Sequence, residues 1–161
     1  DAVTVYLELI AEAEASDGRE SIIARSMTET DIAELLSWPY TNVSSDGGLN
    51  GRHPRGYGSF TRVLSRHVRE RGELSLESAI RKMSSLAAEN TGLSERGEIR
   101  EGYFADLVLF DAETVLDRAT PDEPNLTSVG IVGVWVNGAR VYSAEGVTGN
   151  RPGRVLRRGY N

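Results

Sequence analysis

Residues 97–111 read GEIREGYFADLVLFD and residues 132–142 read VGVWVNGARVY. Within and beside them, LVLF at 107–110 and IVGVWV at 131–136 are short apolar runs bounded by turn residues, the pattern of buried strands. Asn137-Gly138 is a two-residue turn that tolerates positive φ at both positions, so VGVWV is predicted to pair with ARVYS as a hairpin. Asp106, just ahead of the first run, is placed to fix a turn. Residues 111–128 are polar, carry Pro121 and Pro124, and read as a long surface connection. From residue 96 to residue 161 the chain therefore reads as mostly β.

Upstream the texture is helical. Residues 4–15 are rich in Leu, Ala and Glu and predict a helix, ended by Asp17-Gly18. SIIARS at 21–26 has the look of a buried strand. Thr28 with Asp31 three residues on resembles a capping box, with Asp in the place of Glu. It opens a helix through Ile32, Leu35 and Leu36 that stops near Pro39. YTNVS at 40–44 reads as a second strand. Helix, strand, helix and strand joined by short connections argue for βα units and a parallel sheet over residues 1–95. After the Gly-rich loop SDGGLNGRHPRGYG at 45–58, Ser59 is the expected cap of a helix. Its inward face would be Phe60, Val63, Leu64, His67 and Val68, closed by Gly72. Ser75 caps a further helix running to Gly92, with Leu76, Ala79, Ile80, Met83 and Leu86 or Ala87 inward.

Composition narrows the chemistry. The 161 residues carry a formal net charge of −6, so no nucleic-acid partner is expected. No apolar run approaches the roughly 20 residues of a membrane span, so no membrane partner is expected either. There is no cysteine, which removes disulfides, thiolate metal sites and cysteine nucleophiles. Two histidines, His53 and His67, fall short of the about three ligands, usually His-rich, of a catalytic zinc site. Lys82 is the one lysine. Arg151, Arg154, Arg157 and Arg158 read as a solvated terminal segment. Asp1 to Glu14 is acidic and amphipathic, unlike a signal peptide. A helix that starts almost at a non-Met first residue has the look of a piece of a longer chain.

Three places could carry chemistry. Asp46, in Ser45-Asp46-Gly47 at the end of a predicted strand, lies where α/β proteins gather their sites. Its carboxylate could ligate a metal or act as a general base, and it could equally be a turn residue. In Arg52-His53-Pro54-Arg55, a guanidinium suits a substrate carboxylate as well as it suits a loop ion pair. His67 lies on an apolar helix face, where a core histidine with a local hydrogen bond is the alternative to a ligand.

Taken together, Gly102, ADLVLFD at 105–111 and VWVNG at 134–138 resemble the closing β-segments of the amidohydrolase superfamily. TNVSSDGG at 41–48, HPRGYGSFTRVLSRHVRERGELSLESAIRKM at 53–83 and TGNRPGRVLRR at 148–158 narrow the likeness to the D-aminoacylase (N-acyl-D-amino-acid deacylase) family. The resemblance spans residues 20–158. It implies an α/β fold: residues 1–95 as the last strands and helices of a metal-dependent-hydrolase (β/α)8 barrel, and residues 96–161 as part of a small β-sandwich built from both chain ends. It implies a cytoplasmic enzyme that hydrolyses N-acyl-D-amino acids with zinc. Asp46 would match the aspartate at the end of the eighth barrel strand, which takes a proton from the attacking water and passes it to the leaving amine. Asp46 is also this chain's one candidate metal ligand. Arg55 would match the arginine for the substrate carboxylate, with His53 shaping that loop and binding alongside it.

The family's histidine and cysteine metal ligands have no counterpart here. The expectation is thus a fragment, inactive and free of zinc in isolation, whose partner is the remaining N-terminal part of the protein or a second copy of itself. The alternatives are a cyclic-amide amidohydrolase of hydantoinase or dihydroorotase type, which would not be expected to carry the His-Pro-Arg loop, and a non-catalytic interaction module.

Overall fold

The structure is a computed structural model that describes residues 1–16, 26–48 and 51–158. The strand expected at 21–26 lies outside the described residues, save for Ser26. Helix α1 spans Ala2–Ala15, two residues more than its apolar pattern suggests, because the Asp1 carboxylate accepts from the N–H groups of Val3 and Thr4. None of its side chains is buried, and Val3, Val5, Tyr6, Leu7, Leu9 and Ile10 all face solvent. Helix α2, Glu29–Ser37, opens on the expected capping box. Thr28 and Asp31 satisfy each other's backbone donors at 2.7 and 3.2 Å. Of its apolar residues Leu36 is buried, whereas Leu35 is half exposed.

Residues 40–44 do not form the predicted strand. A strand needs a partner edge, and none lies beside it among the described residues. The Val43 N–H is instead satisfied by the Lys82 carbonyl at 3.1 Å.

Helix α3 spans Arg55–Arg62 and so starts four residues before the cap expected at Ser59. Pro54 accounts for this, since its φ of −52° is already helical and it has no N–H to leave unsatisfied. The Ser59 hydroxyl turns back onto the Arg55 carbonyl at 2.8 Å. The helix runs on into a π-helical segment, Val63–Glu70, closed by Gly72 with φ +61°. Val63, Leu64 and His67 are buried as their spacing predicts, but Phe60 is 45% exposed. The helix expected from Ser75 to Gly92 breaks at Ser84 into α4, Leu76–Met83, and α5, Ser85–Thr91. Ser75 caps the first, and Gly92 ends the second with φ +71°. Ala79 is fully buried, Ile80 is 36% exposed, and the buried place on that face belongs to Lys82.

The sheet is a four-stranded antiparallel meander: β1 Leu107–Phe110, β2 Ile131–Val136, β3 Ala139–Ser143 and β4 Gly146–Val147. The predicted hairpin is there, with Asn137 and Gly138 at φ +46° and +81° and Val136 opposite Ala139. Asp106 is the turn residue it was expected to be. Its carboxylate accepts the Asn137 N–H at 2.8 Å and pairs with Arg96. The amide of Asn137 reaches the Pro152 carbonyl at 2.7 Å. Arg96 and Arg154 both lie over the Phe104 ring, 4.2 and 4.6 Å from its centre. Arg154 thus touches the Phe104 ring while remaining exposed, as expected of a solvated terminal segment.

The connection between β1 and β2 is less of a surface loop than its polarity suggests. Leu116 bridges to Val129, and Val115 is fully buried. Val63, Leu64, Ala79 and Val115 form one core, with Val43, Val68, Leu76, Met83, Phe110 and Ile131 packed around it. Arg69 reinforces the junction by donating to the carbonyls of Ala112 and Val115 at 3.0 and 2.8 Å. Gly130 crosses the same place: a Cβ there would meet Val115 Cα at 2.5 Å.

Two outcomes are expected. Gly102 has a similar positive φ but open space around it, so Gly102→Ala should cost the left-handed conformation alone, about 1–2 kcal/mol. Gly130→Ala adds a backbone collision and should cost clearly more, read as a lower urea midpoint; equal midpoints would refute the close approach. The second outcome concerns acid. The hydrogen bond from His67 holds the Glu73 carboxyl below its ordinary value, as the Glu113 N–H does for Asp111. A depressed carboxylate binds fewer protons folded than unfolded, so its stabilisation is complete above the ordinary value and lost as pH falls through the depressed one. The urea midpoint should fall below about pH 4.5, and Glu73→Gln should flatten part of that slope. A slope unchanged by Glu73→Gln would contradict the assignment.

Candidate active site

The residues singled out by sequence converge in part. The segment that leads to Asp46 is tied down by α4 and α5. Lys82, 5% exposed, sends its ammonium to the carbonyls of Trp38 and Thr41 at 2.5 and 3.1 Å. The carbonyl of Lys82 receives the Val43 N–H, and Asn90 donates to Asn42 at 2.9 Å. Burial, and secondly the charge of Arg81, push the Lys82 pKa down from its ordinary value. Sequence reasoning left Lys82 aside. The signal was there: a sole lysine three positions after Ala79 on the apolar face of α4.

Beyond Val43 the chain passes Ser45 and reaches Asp46, one of three non-glycine residues with positive φ among the described residues, at +48°. The other side of the site is the start of α3. The Arg55 N–H donates to His53 Nδ1 at 3.1 Å, and the Gly56 N–H to the His53 carbonyl at 3.1 Å. His53 thus holds the turn from which Arg55 projects. Further along α3, Gly58 sits against Asp117, where an added Cβ would come within 3.0 Å of its side chain. Asp117 is also gripped by Arg62 and Ser65 at 3.2 and 3.1 Å. The helix is therefore fixed to the β1–β2 connection.

The two halves meet through glycines. A Cβ on Gly47 would fall 2.5 Å from Gly56 Cα, so only a residue without a side chain lets these backbones approach so closely. The contact brings the residues beside them together: Arg55 Nη1 lies 3.0 Å from Asp46 Oδ2. Both side chains are open to solvent, at 47% and 82% exposure. Asp46, Arg55 and His53 form one cluster.

His67 is not part of it. It is buried in the π-helical segment, its Nδ1 2.6 Å from Glu73 Oε2, as a core histidine with a local partner. No group of three or more His, Asp or Glu side chains able to hold a metal ion occurs among the described residues. A groove of about 670 Å³ runs beside the start of α3, lined by Gly56, Tyr57, Ile131, Val134, Tyr142 and Arg151 among others. It includes neither Asp46 nor Arg55. No described helix is long and apolar enough to cross a membrane.

Comparison with known proteins gives this geometry a context. The model of the Amidohydrolase family matches residues 13–142. The chain is 50% identical over 132 residues to an N-acyl-D-aspartate deacylase of Alcaligenes xylosoxydans xylosoxydans, covering 81% of this chain and 26% of that protein. It is 47% identical over 135 residues to an N-acyl-D-glutamate deacylase of the same organism, covering 83% and 28%. A crystal structure of D-aminoacylase superposes with a TM-score of 0.78 at 45% identity, covering 82% of this chain and 28% of that one. The N-acyl-D-glutamate deacylase of Bordetella bronchiseptica, complexed with zinc and a phosphonate mimic of the tetrahedral intermediate, superposes at 0.76 with 50% identity, covering 81% and 28%. The chain thus spans about a quarter of the length of the curated relatives it matches. With a family match over most of its residues, the chain belongs to the amidohydrolase family.

Proposed function

We propose that the chain is the C-terminal part of a zinc-dependent hydrolase that cleaves N-acyl-D-amino acids to a carboxylate and a free D-amino acid. In this reading residues 1–95 complete a (β/α)8 barrel and residues 96–161 part of a β-sandwich. The observation that carries it is the meeting of Asp46 and Arg55 at 3.0 Å, in a chain half identical to deacylases of acidic N-acyl-D-amino acids. The exposed apolar face of α1 and the half-exposed Val108 and Leu109 on β1 support the remainder of the protein as partner.

Hydrolysis of an amide needs a base for the attacking water and an acid for the leaving nitrogen. The Asp46 carboxylate can do both in turn. It takes a proton from water as the new C–O bond forms and gives it to nitrogen as the C–N bond breaks. Arg55 offers a guanidinium fork to the substrate carboxylate, and His53, through the Arg55 N–H, sets the direction of that fork.

This chain's donors do not fit a zinc site by themselves. It has no cysteine and two histidines, and the Nδ1 of His67 is engaged by Glu73. Asp46 could contribute one carboxylate, whereas catalytic zinc takes about three protein ligands. The rest would come from outside these residues.

Metal analysis of the isolated chain after dialysis should therefore find well under one zinc per chain; one tightly held ion would overturn this account of the donors. In the complete enzyme, Asp46→Asn removes the base while keeping its size, and kcat should fall by about 10²–10⁴-fold with KM little changed. Arg55→Lys keeps the charge and loses the fork, so it should mainly raise KM. Steady-state kinetics on an N-acyl-D-amino acid decide both. Normal turnover in Asp46→Asn would make it a turn residue, and an unaltered KM in Arg55→Lys would make it a surface cation.

A further inference from the structure

The strand-like segment that leads to the site is held from α4 by one residue. We infer that Lys82 is a positioning residue for the reaction: its amino group and its backbone carbonyl together set the course of residues 38–43, and through them the place of Asp46. This builds on the role of base proposed above for Asp46.

Residues 41–48 have no regular secondary structure, so neither a helix nor a ladder dictates where they run. Among the described residues, four hydrogen bonds tie residues 38–43 to the rest of the chain, and Lys82 makes three of them. Its Nζ donates to the carbonyls of Trp38 and Thr41, and its own carbonyl accepts the Val43 N–H. The fourth, from Asn90 to Asn42, is exposed to solvent. Lys82 is itself firmly based, on the face of α4 that carries Ala79 into the core. Val43 packs against the same core, and Asp46 follows three residues on.

The chemistry of the side chain argues for a task other than stability. An amino group on a residue 5% exposed, with no carboxylate beside it among the described residues, is costly to bury. A methionine has nearly the same length and avoids that cost, but it cannot donate. Without those donors the Trp38 and Thr41 carbonyls would turn to water, which Trp38 already faces, and the segment would drift outward. Arg55 would be spared, because Gly58 and Arg62 fix α3 separately on Asp117. Lys82 therefore acts on the residue proposed as base and not on the one proposed to hold the substrate carboxylate.

The test uses the complete enzyme, an N-acyl-D-amino acid that it turns over, and Lys82→Met. Amide hydrogen exchange, read by mass spectrometry, should quicken in peptides covering residues 38–47 and keep its wild-type rate across α3. Misplacing a reacting group by about 1 Å costs about 10²-fold, so kcat should fall by about 10–10²-fold while KM stays within about two-fold. Added to Asp46→Asn, Lys82→Met should bring no further loss of kcat, because the group it places is already gone. Exchange that is unchanged at 38–47, or that quickens equally across α3, overturns the inference. So does a wild-type kcat, and so does the same loss on top of Asp46→Asn, which would leave Lys82 a residue of the fold alone. Should Lys82→Met fail to fold, Lys82→Gln takes its place. Its amide keeps two donors but ends one bond short, so kcat should again fall at an unchanged KM, and a wild-type kcat would overturn the inference. Failure of the underlying reading looks different: Asp46→Asn alone would then turn over normally, and the positioning role would fall with it.

Discussion

The contact of Val63 and Leu64 with Ala79 and Val115 joins the helical part of the chain to the sheet. Burying such side chains contributes on the order of 1.5–3 kcal/mol each, and the polar groups beside them are all engaged. Arg69 closes the carbonyls of Ala112 and Val115. Ser65 and Arg62 hold Asp117. No buried side-chain polar atom is left without a partner among the described residues, so the junction carries none of the penalty of an unsatisfied group. Its position also sets the direction of α3, which projects Arg55 from its first turn.

The site inherits its geometry from two anchors rather than from its own contacts. On one side Lys82 draws residues 38–43 against α4 with an ammonium bonded to two carbonyls. On the other, Gly58 lets α3 settle on Asp117. What remains is a gap closed by two glycines, and the exposed ion pair follows from that closure. Exposed pairs contribute little to stability. The Asp46–Arg55 contact therefore marks where the two loops meet and adds little to the fold.

In the proposed reading, a segment with no metal-ligand cluster among its described residues would still carry part of a hydrolytic site. It supplies a carboxylate on one loop, a guanidinium at a helix start, and a histidine that fixes the turn between them. Each is placed by backbone constraints that lie within these 161 residues. Ligands for a metal would have to come from the much larger share of such enzymes, about three quarters of the relatives' length, that this chain does not span.

Sequence alone determined whatever depends on neighbours along the chain. The Thr28–Asp31 box, the Ser75 cap, the Gly92 ending and the Asn137-Gly138 hairpin are all set within a few residues, where propensity and hydrogen bonding act locally. The likeness of residues 41–83 to deacylases was also legible, and it directed attention to Asp46, His53 and Arg55. Tertiary structure decided what depends on distant partners. Residues 40–44 had the composition of a strand, but Val43 found the Lys82 carbonyl in place of a ladder. Val115 was hidden in a polar stretch, because one buried valine among polar residues makes no periodic signal. Ser59 was outcompeted as a cap by Pro54, whose ring fixes a helical φ five residues earlier. Above all, nothing along the chain shows that Gly47 and Gly56 touch. That approach is a matter of how two loops cross, and it is what sets Asp46 and Arg55 face to face.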